Sequence, residues 1–359
     1  MKIAIIGCGI VGAAIAYELS LVKGLDITLI DQKAPASGST NAALGILIGI
    51  ISRKTKGRAW RLREASMQRY PTLISELEGI IGKAIPHNSQ GIVMLRFAGE
   101  DTSKWEKLIS LRHSQGWNLE LWDWLQLQSQ CPQVENDQVI GAIYSPQDLQ
   151  VNPIALTQAL VTAAEINGVT CGWGVKVNNC VTQGSRCVQL QTNEGNLSFD
   201  WLVVAAGLGS TPLTASLAQP LDIRPVLGQA MRVKLNQPLG NPDFQPVITG
   251  EDVHIAPLGN QEYWLGATVE FANEMGEVKA DETLLNRVRE QGITFCPDLA
   301  DARILSTWSG KRPRPEGMSA PVIGNLPGYD NVLLATGHYR NGVLLAPATA
   351  QAIKGLILE

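Results

Sequence analysis

The chain has 359 residues, of which 45% are hydrophobic and 17% charged, a composition typical of a globular protein with a substantial core. Its net charge of −4 is spread along the sequence and indicates no nucleic-acid or anionic-lipid partner. The six cysteines are scattered without CxxC pairs or metal-ligand spacing, which predicts free thiols in a reducing cytoplasm and no metal site.

The first predicted elements surround a glycine-rich turn. Residues 2–6 form a short β-branched run, residues 10–22 show helical apolar spacing, and residues 25–30 form another strand. This order predicts the start of a parallel, doubly wound sheet. Because three glycines interrupt the apolar N-terminus, we expect a buried strand and helix rather than a signal peptide, and no integral membrane segment.

The turn between the first strand and helix has the sequence GCGIVG, residues 7–12. Gly7 permits the tight turn, Gly9 lets the backbone approach a pyrophosphate, and Gly12 lets the helix pack closely on the strand. The helix N-terminus presents its partial positive charge to the phosphates. Asp31 ends the next strand, 19 residues after Gly12, where its carboxylate can accept hydrogen bonds from the ribose of adenosine. The segment therefore predicts a dinucleotide site.

A cluster of basic residues follows the serine-rich turn at residues 37–40 and leads into a helix predicted from about 58 to 78. Its members are Arg53, Lys54, Lys56, Arg58, Arg61 and Arg63. We interpret the cluster as a solvated helix face rather than a binding patch. A strand at 91–97 and an amphipathic helix at 101–115 come next.

The remaining elements alternate between strand–helix patterns and runs of alternating strand residues. Pro153 opens a helix that Gly168 closes, and strand-like segments follow at 169–177, 186–192 and 201–207, the last of which we expect to be a central parallel strand. The alternating residues 222–270 predict an antiparallel sheet. A helix is predicted at 281–295, then a strand at 331–336, a glycine turn and a final helix.

These patterns predict an α/β fold with an α+β lobe and two interleaved domains. A discontinuous, Rossmann-like cofactor domain is formed by residues 1–85, 140–220 and 305–359. An antiparallel-sheet substrate domain is formed by residues 86–139 and 221–304.

Two later motifs carry chemistry. The strand and turn at 334–342 lead into a helix. The first N–H groups of that helix can hold the carbonyl end of an isoalloxazine ring and stabilise the negative charge of a reduced flavin. An ordinary helix cap would have the same sequence pattern. Arg312, in a turn bounded by glycine and proline, can clamp a substrate carboxylate through two parallel hydrogen bonds, or lie on the surface as single arginines usually do.

Four segments, GCGIVGAAIAYEL, SGSTNAALG, GKRPRPEGMSAPVIG and ATGHYRNGVLLAPATA, together resemble the D-amino-acid-oxidase family of flavoproteins, and within it the glycine oxidases of thiamin biosynthesis. The resemblance implies non-covalently bound FAD, a small amino-acid substrate and dioxygen as electron acceptor. It also suggests a homo-oligomer and a thiazole synthase as partner.

The resemblance also implies site residues. The residues expected to bind the cofactor, including those of the two turns described above, are Gly7, Gly9, Ile10, Val11, Gly12, Asp31, Gln32, Ser39, Thr40, Leu44, Gly45, Ile46, Val175, Gly207, Gly337, His338, Tyr339, Arg340, Asn341, Gly342, Val343 and Leu344. Arg312 is expected to bind the substrate carboxylate, and Arg340 to line the same pocket. His254 stands where glycine oxidases carry an active-site tyrosine, and Val269 where a methionine can occur, so the substrate itself stays open. Taken alone, His254 is typical of a hydrogen-bonded strand histidine.

We therefore expect flavin-dependent oxidative deamination of glycine, sarcosine or a small D-amino acid by hydride transfer, without a dedicated general base. The imine would give a 2-oxo acid and ammonia, and reoxidation by dioxygen would give hydrogen peroxide. One alternative is a flavin dehydrogenase that passes electrons to a quinone or carrier and docks on a membrane through residues 44–51 and the basic cluster. Another is a non-catalytic dinucleotide-binding module that senses redox state or scaffolds a partner.

Overall fold

Two large sheets organise the computed structural model, which describes residues 1–273 and 277–359. The first sheet has six strands, in the spatial order Val322–Asn325, Val332–Thr336, Trp201–Val204, Lys2–Ile6, Asp26–Asp31 and Thr170–Trp173. All neighbours pair in parallel except the edge strand Val322–Asn325. The predicted doubly wound sheet is confirmed, and 201–204 is a central strand, as its apolar sequence predicted.

The second sheet has eight strands, in the spatial order Arg303–Pro315, Ile223–Lys234, Glu262–Gly266, Val253–Gly259, Val247–Gly250, Ile92–Phe97, Val139–Ser145 and Glu120–Asp123. Its pairs are antiparallel except that Val247–Gly250 runs parallel to Ile92–Phe97. That pair joins segments far apart in sequence, and the long connection allows parallel pairing. The strands within residues 222–270 pair antiparallel with one another, as their alternation predicted, and the parallel pair arises where they meet Ile92–Phe97.

Two three-stranded sheets complete the β structure of the described residues. One contains the hairpin strands Val177–Gln183, Arg186–Thr192 and Gly195–Ser198. The other contains Ile46–Leu47, Leu149–Val151 and His87–Asn88. The α-helices are Ile10–Ser20, Gly57–Ile81, Thr102–Ser114, Trp124–Gln130, Pro153–Ile166, Ser210–Ser216, Glu282–Phe295 and Gly342–Leu358.

The predicted domain boundaries at 139/140 and 304/305 both fall within strands of the eight-stranded sheet, Val139–Ser145 and Arg303–Pro315. Each of these strands therefore continues from the predicted substrate segment into a predicted cofactor segment. The division into domains stays a prediction.

The largest core cluster lies around the first helix, Ile10–Ser20, which packs against Pro153–Ile166 and Gly342–Leu358. All its residues are buried except Ser20, as expected for a helix that is apolar on every side. Buried Glu18 is paired with Arg69 at 2.9 Å. This packing fixes where the first helix begins, at the glycine turn.

One helical run, Tyr339–Leu358, is apolar and long enough to cross a membrane by length and composition, but 56% of its most apolar window is buried inside the protein. That burial is typical of a core helix.

Candidate active site

A cavity of about 1620 Å³ lies where the carboxyl ends of the parallel strands face the eight-stranded sheet. Ligand pockets for small molecules typically measure about 300–1,000 Å³, so this cavity has room for a dinucleotide and a small substrate together. Crevices at the carboxyl ends of open α/β sheets are the usual place for such ligands.

The structure brings the predicted site residues to this one cavity. All predicted cofactor residues line it except Gly12 and Val175, and the catalytic candidates Arg312, Arg340 and His254 line it too. Val175 instead donates its N–H to the carbonyl of Asp31, at 3.0 Å. Val269 does not line the cavity. The roles of these residues stay predictions.

The glycine turn fits a close approach to a phosphate group. Gly7 has φ +104°, and a Cβ there would lie 2.6 Å from the carbonyl oxygen of Ala205. A Cβ on Gly12 would lie 1.8 Å from the carbonyl oxygen of Gly7, so the helix could not pack against the turn. In the described part of the chain, the N–H groups of Gly9 and Val11 form no hydrogen bond. These unpaired donors at a helix start fit the pyrophosphate of FAD.

Asp31 and Thr40 hold this turn in place. The Asp31 carboxylate accepts hydrogen bonds from the N–H groups of Cys8 at 2.7 Å and Lys33 at 2.9 Å. A carboxylate has about four acceptor positions, so Asp31 retains capacity for ribose hydroxyls. The Thr40 hydroxyl accepts from the N–H of Ile10 at 3.1 Å.

The second predicted turn, residues 337–344, also lines the cavity. The helix Gly342–Leu358 begins there without a side-chain cap hydrogen bond, so its first N–H groups are available to a ligand. His338 is buried, and its Nε2 lies 2.9 Å from the Thr349 hydroxyl. Burial, and then the charge of Arg58, lower the pKa of His338 to about 3, so its imidazole is neutral.

Arg63 corrects the interpretation of the basic cluster. Although its neighbours Lys56, Arg58 and Arg61 are exposed, Arg63 is buried and lines the cavity. Its Nη2 donates to the side-chain oxygen of Asn341 at 3.4 Å, which connects helix Gly57–Ile81 to the second turn. The helical pattern in the sequence did not show that the face of Gly57–Ile81 that carries Arg63 lies against the last helix.

The guanidinium of Arg312 is held by the backbone of the eight-stranded sheet. Its Nη1 donates to the carbonyl oxygens of Leu227 at 3.1 Å and Thr268 at 3.0 Å. Within the described residues Nη2 has no partner, which leaves it available to a carboxylate. Burial lowers the pKa of Arg312, and the charge of Arg340 lowers it further. An arginine nevertheless stays protonated in a protein.

Gly228 and Glu270 support Arg312 and were not identified from the sequence. A Cβ on Gly228 would lie 2.2 Å from Nη2 of Arg312, so any side chain there would force the guanidinium out of its present position. Buried Glu270 accepts from the Thr268 hydroxyl and, at 2.9 Å, from Gln229. Its charge opposes the lowering of the Arg312 pKa. A glycine inside a strand pattern was the available signal for Gly228.

His254 lies in the strand Val253–Gly259, half-buried, with Nδ1 2.7 Å from the hydroxyl of Thr249. Burial lowers its pKa to about 4, the charges of Arg340 and Arg312 act in the same direction, and that of Asp252 opposes them. The imidazole is therefore neutral at pH 7.

Two further buried charges fix a wall of the cavity. Fully buried Asp148 accepts from the N–H groups of residues 49–51, each at 2.8 Å. Fully buried Arg112 donates to the carbonyl oxygens of residues 50, 52 and 54, and stacks on Trp60 at 3.4 Å. Ile48, Ser52 and Lys54 of this segment line the cavity. No local pattern in the sequence indicated this pairing.

The segment 44–51 is not a docking surface. Leu44, Leu47, Ile50 and Ile51 are each at most 9% exposed. The alternative hypothesis of membrane docking through this stretch is therefore wrong, because its apolar side chains pack inside the protein.

In the part of the chain that the structure describes, a glycine turn with unpaired N–H donors, a second helix start and an arginine with a free Nη2 come together in one cavity. Among the described lining residues Asp31 is the one acid, and it lies at the glycine turn. The described lining residues near Arg312 can therefore bind and orient an anionic ligand, and none of them is a carboxylate.

Comparison with known proteins agrees with this geometry. The family described as FAD dependent oxidoreductase (DAO) matches residues 2–356. The chain is 32% identical over 363 residues to the bifunctional protein ThiO/ThiG of Trichormus variabilis, a match that covers 99% of this chain and 52% of the relative. It thus spans about half the length of that relative.

Shorter relatives match over nearly their whole length. The chain is 26% identical over 357 residues to the glycine oxidase of Bacillus subtilis, covering 99% of this chain and 92% of the relative. The crystal structure of glycine oxidase from Geobacillus kaustophilus matches with a TM-score of 0.88 and 25% identity, covering 99% of this chain and 95% of the other.

Proposed function

Because this chain belongs to the DAO family of FAD-dependent oxidoreductases, we propose that it oxidatively deaminates a small amino acid. The observation that carries the proposal is the Nη2 of Arg312, which lacks a partner among the described residues and lies in the same cavity as the glycine turn at residues 7–12. A carboxylate on Arg312 would place an amino acid beside the cofactor. Relatives named glycine oxidase support this reading.

The protein's part in the reaction is binding and orientation. Arg312 holds the carboxylate, so that the α-carbon hydrogen faces the cofactor and the amine enters as the neutral base. When bound, FAD accepts the hydride. The N–H groups that begin Gly342–Leu358 stabilise negative charge on a ligand that lies against them. The imine then hydrolyses to a 2-oxo acid and ammonia, and dioxygen takes up the electrons as hydrogen peroxide.

A link to thiamin biosynthesis is part of the proposal. Relatives named ThiO/ThiG carry a second portion beyond the matched half, which supports a thiazole synthase as the partner that receives the imine. The six free cysteines fit a reducing cytoplasm. A homo-oligomer remains an expectation from the resemblance.

An anaerobic reduction screen tests the reaction. We expect glycine, sarcosine or a small D-amino acid to bleach the yellow protein, and aerated turnover to release peroxide. Bleaching without peroxide would favour a dehydrogenase with another electron acceptor. A protein that no amine or hydroxy acid bleaches would favour the non-catalytic module.

Substitution of Arg312 tests the carboxylate assignment. Arg312→Ala should raise KM steeply and lower kcat/KM, because it removes one partner of a buried charge pair. The loss in kcat/KM should correspond to about 2–4 kcal/mol of transition-state stabilisation. Arg224→Ala is the matched control, since Arg224 lies in an exposed pair with Asp222. Steady-state kinetics that do not change in Arg312→Ala would remove this assignment.

A further inference from the structure

The cavity carries far more positive charge than FAD and one carboxylate require. Its cationic lining residues are Lys33, Lys54, Arg58, Arg63, Lys311, Arg312 and Arg340, against Asp31 as the one acid among the described lining residues. The chain as a whole has a net charge of −4, so positive charge is concentrated here. Such a cavity attracts anionic ligands.

Arg340 lines this cavity together with Arg312 and His254, and the proposed reaction gives it no part. The charge of Arg340 lowers the pKa of the other two groups. Its Nη2 lies 3.4 Å from a carboxylate oxygen of Asp252, whose side chain is 80% exposed. Exposed single-point pairs of this kind contribute little, so a ligand carboxylate can displace Asp252.

His254 offers a donor beside Arg340. It follows Asp252 by two residues, at the beginning of the strand that leaves the turn. The Thr249 hydroxyl, 2.7 Å from Nδ1, can donate to it, which leaves the ring hydrogen on Nε2. The neutral imidazole then donates into the cavity that it lines.

We propose that the pocket selects amino or imino acids with a second carboxylate, which binds to Arg340 and Nε2 of His254 and displaces Asp252. The α-carboxylate occupies Arg312, as in the proposed function on which this inference rests. Asp252 occupies Arg340 when no such ligand is bound.

Binding affinities test the second subsite without turnover. For the FAD-bound protein at constant ionic strength, calorimetry should show malonate or succinate binding at least about 10-fold more tightly than acetate. Arg340→Gln should bring this ratio close to one, and Asp252→Asn should raise it several-fold. Lys54→Gln removes a lining cation that forms no bond to Asp252, and should retain most of the preference.

Three outcomes would overturn the subsite: equal affinity for mono- and dicarboxylates, a ratio that Arg340→Gln leaves unchanged, or an equal loss in Lys54→Gln. The Tm of each variant shows whether it is folded, and Arg340→Lys, which keeps the charge, should retain most of the preference. Sarcosine and iminodiacetate differ by one carboxylate, and kcat/KM should favour iminodiacetate. If sarcosine reduces the flavin but dicarboxylates show no preference, the subsite alone is overturned. If no amino acid reduces the flavin, the proposed reaction is overturned, and the binding affinities alone test the subsite.

Discussion

Gly228 determines how close the strand Ile223–Lys234 can come to the guanidinium of Arg312. A Cβ there would lie only 2.2 Å from Nη2, so the guanidinium would have to move. The carbonyl oxygens of Leu227 and Thr268 fix the other end of the guanidinium. A residue without a side chain thus sets the direction in which the arginine presents its free hydrogens.

Gly228→Ala should weaken binding of the substrate carboxylate, because its Cβ forces the guanidinium to move. We expect KM to rise by at least about 10-fold, which corresponds to 1.4 kcal/mol, while FAD content stays at the wild-type value. Gly79→Ala is the control, since a Cβ there meets nothing within 4 Å. Equal KM values in the two variants would contradict the positioning role of Gly228.

At the scale of elements, the cofactor turn depends on the fit between the first strand and the first helix. Gly12 begins the helical packing against the turn, and its missing side chain lets the carbonyl of Gly7 come near. The contact is with backbone, which cannot rotate away as a side chain can. Helix and turn therefore form one rigid unit.

Gly12→Ala should reduce FAD binding severely, because the added Cβ pushes the helix start away from the turn. The ratio of flavin absorbance to protein absorbance after purification measures this loss. The Gly79→Ala protein should keep its full flavin content. A Gly12→Ala protein that retains FAD stoichiometrically would show that the helix start is not the phosphate site.

His338 follows the strand Val332–Thr336 by two residues and forms a hydrogen bond with Thr349 in the last helix. Its pKa in the folded protein, about 3, lies below the ordinary value of 6.5. Between these values the unfolded chain binds more protons than the folded one, so stability falls as the pH is lowered. His254, with a pKa of about 4, acts in the same direction.

We expect the destabilisation caused by His338→Gln to shrink on acidification. In FAD-free protein, the wild-type free energy of unfolding should lose about 2 kcal/mol more than that of the variant between pH 6.5 and 4.5. Urea unfolding at the two pH values measures the difference. Parallel pH dependences in the two proteins would show that His338 is not held neutral by folding.

At the scale of the whole molecule, one cavity joins segments from the beginning, middle and end of the chain. The turn at residues 39–42 is tied to the strand Arg303–Pro315, because Ser39 donates to the carbonyl of Lys311 at 2.6 Å and Trp308 donates to that of Ala42 at 3.2 Å. A ligand that fills this cavity contacts both large sheets and is expected to stabilise them together.

Removal of FAD should therefore lower the stability of the whole chain. A ligand at 100 times its Kd stabilises a folded protein by about 2.7 kcal/mol, so Tm should rise steadily with FAD concentration. Thermal unfolding with and without added FAD measures this effect. The Gly12→Ala protein should show almost no rise, and a wild-type Tm independent of FAD would contradict a cofactor site that bridges the sheets.

The sequence by itself predicted several of the elements, the two glycine turns among them, and a chemistry for each turn that stays a prediction. Apolar runs and glycine spacing are local, and they predicted Lys2–Ile6, Ile10–Ser20 and Trp201–Val204 closely. A turn of this conformation favours glycine at positions 7, 9 and 12, whatever the rest of the fold. The fold class and a dinucleotide site followed from these signals, and FAD from the resemblance of four segments to a known family.

Only the tertiary structure decided which charges are buried and what supports Arg312. Arg63, Arg112 and Asp148 look like surface residues in the sequence, because a local pattern does not show which distant backbone groups a side chain will meet. Gly228 and Arg312 are neighbours since two strands about 80 residues apart in sequence pair in one sheet. Their contact arises from strand pairing across the fold, which short-range spacing does not encode.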